Sequence, residues 1–155
     1  MDAATARRVM RDPAAFRAEL LIECNGTLAK LGQVQDDWQR DDFEALDPAW
    51  RRIAGQHVAP PPIMRGYLER PRGHSKTADI AAMGSWVLAA SPRQLSGFAV
   101  AADADQARYI LDAISRLQSQ NDLLRRALVV QQGRVVNPRT RSTLTLLSSD
   151  VSSSW

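Results

Sequence analysis

Cysteine is nearly absent from this 155-residue chain: Cys24 stands alone. A single thiol cannot form an internal disulfide. With only His57 and His74 to join it, the usual nitrogen and sulfur ligand sets for zinc are excluded as well. Lysine is almost as scarce, because Lys30 and Lys76 are the two lysines among 20 basic residues and the rest are arginine. No apolar run approaches the ~20 residues needed for a helical membrane span, so no membrane association is expected. The start, Met1-Asp2-Ala3-Ala4, lacks the basic-then-apolar layout of a secretory leader. A cytoplasmic location is the expectation.

What is present is enough for one compact core. Apolar residues make up 45% of the chain, inside the globular range, and the net charge is +3. Arginine suits phosphate through its bidentate fork. A preference spread over the whole chain more often reflects the base composition of the gene, so it permits a nucleic-acid partner without arguing for one.

Residues 3 to about 31 read as helix, with Val9, Phe16, Leu20, Leu21, Leu28 and Leu31 roughly on one side and a break at Asp12-Pro13. Residues 36–47 are strongly acidic and carry Trp38, Phe43 and Leu46 at helical spacing. Pro60-Pro61-Pro62 can continue neither a helix nor a central strand. It marks the expected boundary between a helical part, 1–59, and an α/β part, 60–155. In the second part, residues 63–69 read as a short strand, 70–76 as a loop and 77–90 as an apolar helix. Residues 98–102 are small and apolar, as in a buried parallel strand. Asp103 and Gln106 are spaced as a capping box for a helix carrying Ala107, Ile110, Leu111, Ile114 and Leu117. Strands follow at 128–131, 134–136 and 143–147, and the end from Ser148 reads as a serine-rich loop. Strand, loop, helix, strand and helix in that order predict a parallel sheet with crossover helices.

The stretch that carries chemistry is Arg70-Pro71-Arg72-Gly73-His74-Ser75-Lys76-Thr77. A phosphate-binding P-loop works because backbone N–H groups wrap the phosphates at a helix N-terminus, where the helix dipole favours negative charge. A lysine then reaches the outer phosphates and the next hydroxyl ligates Mg²⁺. Lys76-Thr77 stands in that position. Both glycines of the G-x-x-x-x-G-K-[ST] pattern are replaced, by Arg70 and Ser75, and a glycine appears instead at Gly73. On residue types alone, the stretch reads equally as a solvated surface loop.

The run from Tyr67 through Ala81 resembles the deviant P-loop of phage terminase large subunits, the ATPases of DNA packaging. Ala101-Ala102-Asp103-Ala104-Asp105-Gln106-Ala107 resembles the segment that follows the loop helix in that family. Ser148 to Trp155 is similar to the segment before its acidic motif, and Trp38-Gln39-Arg40 to its adenine-contacting segment. The resemblance covers about residues 36–155. It implies an incomplete RecA/ASCE-like P-loop NTPase sheet with flanking helices, preceded by a helical segment, and ATP and Mg²⁺ as cofactors. By position, Lys76 would bind the β/γ-phosphate and Thr77 the Mg²⁺. Arg72 would contact the γ-phosphate as a catalytic arginine in cis. Gly73, His74 and Ser75 would supply the backbone cradle, and Gln39 would read adenine. Implied partners are double-stranded DNA, a portal protein, a small terminase subunit and further copies of the chain.

Hydrolysis of this kind also needs an apolar strand ending in Asp-Glu, and none follows Lys76. The expectation is an N-terminal fragment of a packaging ATPase, able to form much of the nucleotide pocket but not to hydrolyse ATP by itself. Two other classes fit the residues: a non-catalytic domain whose arginine-rich loop binds an acidic partner, and another P-loop ATPase or kinase.

Overall fold

The computed structural model describes residues 2–59, 63–102 and 104–148. Two short helices open the chain, α1 (Ala3–Arg11) and α2 (Pro13–Glu19). Asp2 caps α1 by accepting hydrogen bonds from the backbone N–H groups of Ala4 and Thr5. Asp12 caps α2, whose first residue is Pro13, the position where proline's missing N–H costs nothing. The expected break at Asp12-Pro13 is there.

The expected helix stops soon afterwards. Residues 21–30 form a hairpin instead, β1 (Leu21–Cys24) antiparallel to β2 (Thr27–Lys30). The reason is local: Asn25 and Gly26 both have positive φ, 51° and 75°. That is the two-residue turn whose twist matches a pair of strands, and Asn-Gly is its strongest sequence signal. The apolar residues from Leu20 to Leu31 also fit a hairpin's spacing. A single turn, α3 (Leu31–Val34), and the long acidic helix α4 (Asp37–Ile53) follow.

Residues 63–69, expected as a strand, pair with no strand among the described residues. Their apolar residues come in neighbouring couples, Ile63-Met64 and Tyr67-Leu68, and so present no single face for a sheet to bury. Ile63, Met64 and Tyr67 are exposed, while Leu68 closes a small cavity with Leu46, Trp50 and Ile80. The prolines read as a boundary, Pro60 to Pro62, lie outside the described residues, as do Asp103 and residues 149–155.

The remainder is mixed α/β. Helix α5 (Lys76–Ala90) leads to β3 (Ser96–Ala101), then α6 (Ala104–Gln120) and α7 (Asp122–Ala127). Three strands end the described chain: β4 (Val129–Gln131), β5 (Arg134–Asn137) and β6 (Ser142–Ser148). The sheet order is β3-β6-β5-β4. Only β3 and β6 are parallel; β4, β5 and β6 form an antiparallel meander, so the sheet is mixed and not the parallel one expected. Turns of a few residues, at Gly133 and after Asn137, join those three strands and leave no room for a crossover helix.

The core surrounds α5, which is apolar on nearly every side, as a central buried helix must be. Trp86 is fully buried there and donates its indole N–H to the Val9 carbonyl of α1 at 2.9 Å. Residues from both expected parts share this one core: Val9, Phe16, Leu20 and Phe43 lie in it with Met83, Ile114 and Leu124. The sheet packs one face on it, through Val130, Val135 and Leu144. Its other face carries Phe98, Val100 and Leu147, all exposed. The strand expected to be buried, β3, is therefore an edge strand with one face open.

Asn137 locks the meander to α5. Its amide donates to the Leu88 carbonyl at 2.8 Å, and its own oxygen accepts from the Arg139 N–H at 3.0 Å. Replacing Asn137 with alanine leaves the buried Leu88 carbonyl without this partner and frees the part-buried Arg139 N–H, and is expected to cost about 2 kcal/mol. Urea denaturation checks it; a loss within experimental error would mean water replaces the amide.

Candidate functional site

The loop 70–75 enters α5 through a left-handed turn. Gly73 has φ of 86° and Ser75 of 50°. At Gly73 a positive φ needs glycine; at Ser75 a side chain sits in a conformation that costs about 1 kcal/mol or more. The Ser75 carbonyl accepts the first helical bond, from the Asp79 N–H at 2.8 Å, but its hydroxyl does not cap the helix. A helix of 15 residues thus begins with no side-chain cap, at the end where its dipole favours an anion.

Lys76 is half-buried in the first turn. Its ammonium folds back over the loop and donates to the Arg70 carbonyl at 3.1 Å, closing the ring of residues 70–76. Thr77 and Arg72 are exposed. Neither side chain has a hydrogen-bond partner among the described residues. The His74 ring lies 5.9 Å from that of Trp38, and its backbone N–H closes a turn to Pro71 at 3.3 Å.

Arg70 holds the loop in place. Its side chain is only 7% exposed and lies between two carboxylates, with Nη2 2.6 Å from Asp42 on α4 and Nη1 2.6 Å from Asp79 on α5. The guanidinium also stacks over the Trp38 ring, 4.7 Å from its centroid. Burial works against the Arg70 charge, but the hydrogen bonds to Asp79 and Asp42 outweigh it and hold the pKa above the ordinary arginine value. Burial likewise pushes the Asp79 carboxyl above the usual aspartate value. The bonds from Arg70 and Gln39 offset this in part, and the Asp42 charge adds to it. Arg70 is thus the bolt that ties loop, α4 and α5 together.

Gln39 belongs to the same cluster. It is 6% exposed, donates to both Asp79 oxygens at 3.0 and 3.1 Å, and accepts from the Asp36 N–H at 3.1 Å. Both ends of its amide are committed within the protein. The structure therefore brings all the sequence-expected residues, Gln39 and Arg72 to Thr77, to one end of α5. It adds three that the sequence reading left without a role: Arg70, Asp42 and Asp79. Asp42 lies one helical turn beyond Gln39 and Asp79 one turn beyond Lys76. Nothing in the spacing connects the two acids across 37 residues until Arg70 is seen between them.

A cleft of about 320 Å³ opens beside the loop. Its lining includes Gln39, Ser75, Ala78 and Asp79 from around the loop, together with Cys24, Leu31, Arg116 and Leu117. Among the described residues no group of three His, Cys, Asp or Glu side chains could hold a metal ion, and no helix is long and apolar enough to cross a membrane. The chain matches no protein-family model, no curated protein and no solved structure.

The anchoring predicts a specific weakness. Lysine in place of Arg70 keeps the charge but cannot bridge Asp42 and Asp79 as a planar fork does. In the Arg70→Lys variant the amides of residues 73–76 should exchange with solvent about tenfold faster while those of the α5 core stay unchanged. Equal exchange in both proteins would show that Arg70 is not what holds the loop.

Proposed function

We propose that loop 70–77 binds the phosphates of ATP with Mg²⁺, and that the chain is the nucleotide-binding part of a DNA-packaging ATPase of the terminase large-subunit kind. One observation supports this above the others. Lys76 sits at the uncapped N-terminus of α5 with its ammonium parked on the carbonyl of the loop it closes. Moved to a bound triphosphate, the same ammonium exchanges one weak acceptor for charged oxygens, and the loop and first-turn N–H groups complete the cradle.

The other residues fit in graded fashion. Thr77, exposed in the first turn, would offer its hydroxyl to Mg²⁺, which neutralises phosphate charge when bound. With no carboxylate cluster among the described residues, the ion would arrive with the nucleotide. Arg72, exposed at the loop tip, would contact the γ-phosphate. Gln39 holds Asp79, and reading adenine would require it to release that carboxylate or Asp36; the adjoining cleft offers a base apolar walls without either change. Double-stranded DNA, a portal protein, a small terminase subunit and sister copies are the partners this reading carries, with the host cytoplasm as the compartment. Contacts to DNA would be with phosphates and independent of sequence.

The alternative, an arginine-rich loop that engages an acidic partner, draws on exposed Arg65 and Arg72. It is weakened by Arg70, whose charge is spent internally on Asp42 and Asp79. Titrating a fluorescent ATP analogue with Mg²⁺ tests the proposal. Saturable binding that unlabelled ATP displaces is expected, and no binding at millimolar nucleotide would overturn it.

A further inference from the structure

The edge of the sheet at β3 carries none of the usual protection. Ser96–Ala101 reads SGFAVA, with no charge, no proline and no bulge, and its outer side pairs with no strand among the described residues. Edge strands of this length are normally blunted, because their free backbone groups recruit other strands. Phe98 and Val100 stand out from it at 64% and 72% exposure. Behind it lies an apolar groove of about 480 Å³ lined by Trp50, Ile53, Ile80 and Val87. The indole N–H of Trp50 is buried without an acceptor.

We propose that this edge is the contact of a two-fold dimer, in which β3 pairs antiparallel with β3 of a second copy to form a continuous eight-stranded sheet. The charges flanking the strand select this occupant. Arg93 precedes β3 and has no ion-pair partner among the described residues; Asp105 follows it, exposed and only 4.0 Å from Arg108. A two-fold axis normal to the sheet at Ala99 sets Phe98 of each copy opposite Val100 of the other. It carries Arg93 of each to the strand end that bears Asp105 of the other. An aromatic residue opposite a β-branched one is a favourable cross-strand pair, and the interface closes without leaving a further edge to extend. Parallel addition would set Arg93 beside Arg93 and would not close.

Sedimentation equilibrium of the full chain, from low micromolar to near-millimolar concentration, tests it. One chain giving way to two is the expected result. Arg93→Glu and Asp105→Arg should each raise the dissociation constant about tenfold, since each turns two symmetric attractions into repulsions, and the pair combined should restore it. Ala99→Cys in a Cys24→Ser background should form an intermolecular disulfide on oxidation, because residues opposite each other in an antiparallel pair lie within disulfide reach, whereas Val100→Cys should not. A monomer at every concentration overturns the proposal and leaves the edge to a strand from another protein. A dimer that ignores both charge variants and does not cross-link through position 99 overturns it equally.

Discussion

Lys76→Ala is expected to abolish binding of a fluorescent ATP analogue, a loss of at least about a hundredfold in affinity. The ammonium is the half-buried cation at the start of α5 that no carboxylate holds: it bonds the Arg70 carbonyl, whereas Arg70 itself is clamped by Asp42 and Asp79, and Arg72 stands out at the exposed loop tip. Removing one partner of a desolvated, hydrogen-bonded charge pair typically costs about 2–5 kcal/mol, which sets that factor. The fold should be nearly indifferent to the change, because Arg70 keeps the loop anchored, and a denaturation midpoint within error of the parent separates lost binding from lost structure. If the variant binds as well as the parent, the loop is not the phosphate site.

The largest effect on stability is expected at Asp47. Arg17 of α2 is buried and reaches across to Asp47 of α4 with two bonds, 2.6 and 2.8 Å, while its guanidinium lies 4.3 Å above the Phe43 ring and one nitrogen is 3.4 Å from the Met83 sulfur. Asp47 is the carboxylate it pairs with, whereas Phe43 and Met83 bring no charge. Asp47→Ala leaves a guanidinium buried with no counter-charge, which should destabilise the protein by about 3–5 kcal/mol. For a chain of this size that lowers the melting temperature by roughly 10–15 °C. Replacing both partners, Arg17→Met with Asp47→Leu, should recover most of the loss, since the pair's attraction does little more than offset its desolvation. A double variant no better than Asp47→Ala alone would show that the ion pair makes a net contribution of its own.

The mostly apolar helix α5 and the striped helix α6 were legible in the sequence: both begin within a residue or two of where the sequence puts them, and the closing meander follows its turn signals at Gly133 and Asn137-Pro138. The amino-terminal hairpin was misread because its apolar residues also satisfy a helical count; Asn25-Gly26 was the deciding signal and outweighs that count. Residues 63–69 show the converse. Their composition suits a strand, but strand formation is settled by a partner and a buried face, and the chain supplies neither there. At the candidate site, local order placed Lys76 and Thr77 at the start of a helix. The clamp of Asp42, Arg70 and Asp79 joins segments distant in the chain, so no local pattern announces it.

The Asn121 side chain occupies an unusual place beside β1. Its amide oxygen accepts from the Leu21 N–H and its amide nitrogen donates to the Leu21 carbonyl, both at 2.9 Å. One side chain thereby does for the hairpin what a neighbouring strand would do, from 100 residues further along the chain. During synthesis the hairpin leaves the ribosome long before that amide exists. At about 5–20 residues per second, the interval is on the order of 5–20 s. The hairpin therefore waits, unsecured, for an asparagine made 100 residues later, and it is during that interval that the nascent chain has most need of a chaperone.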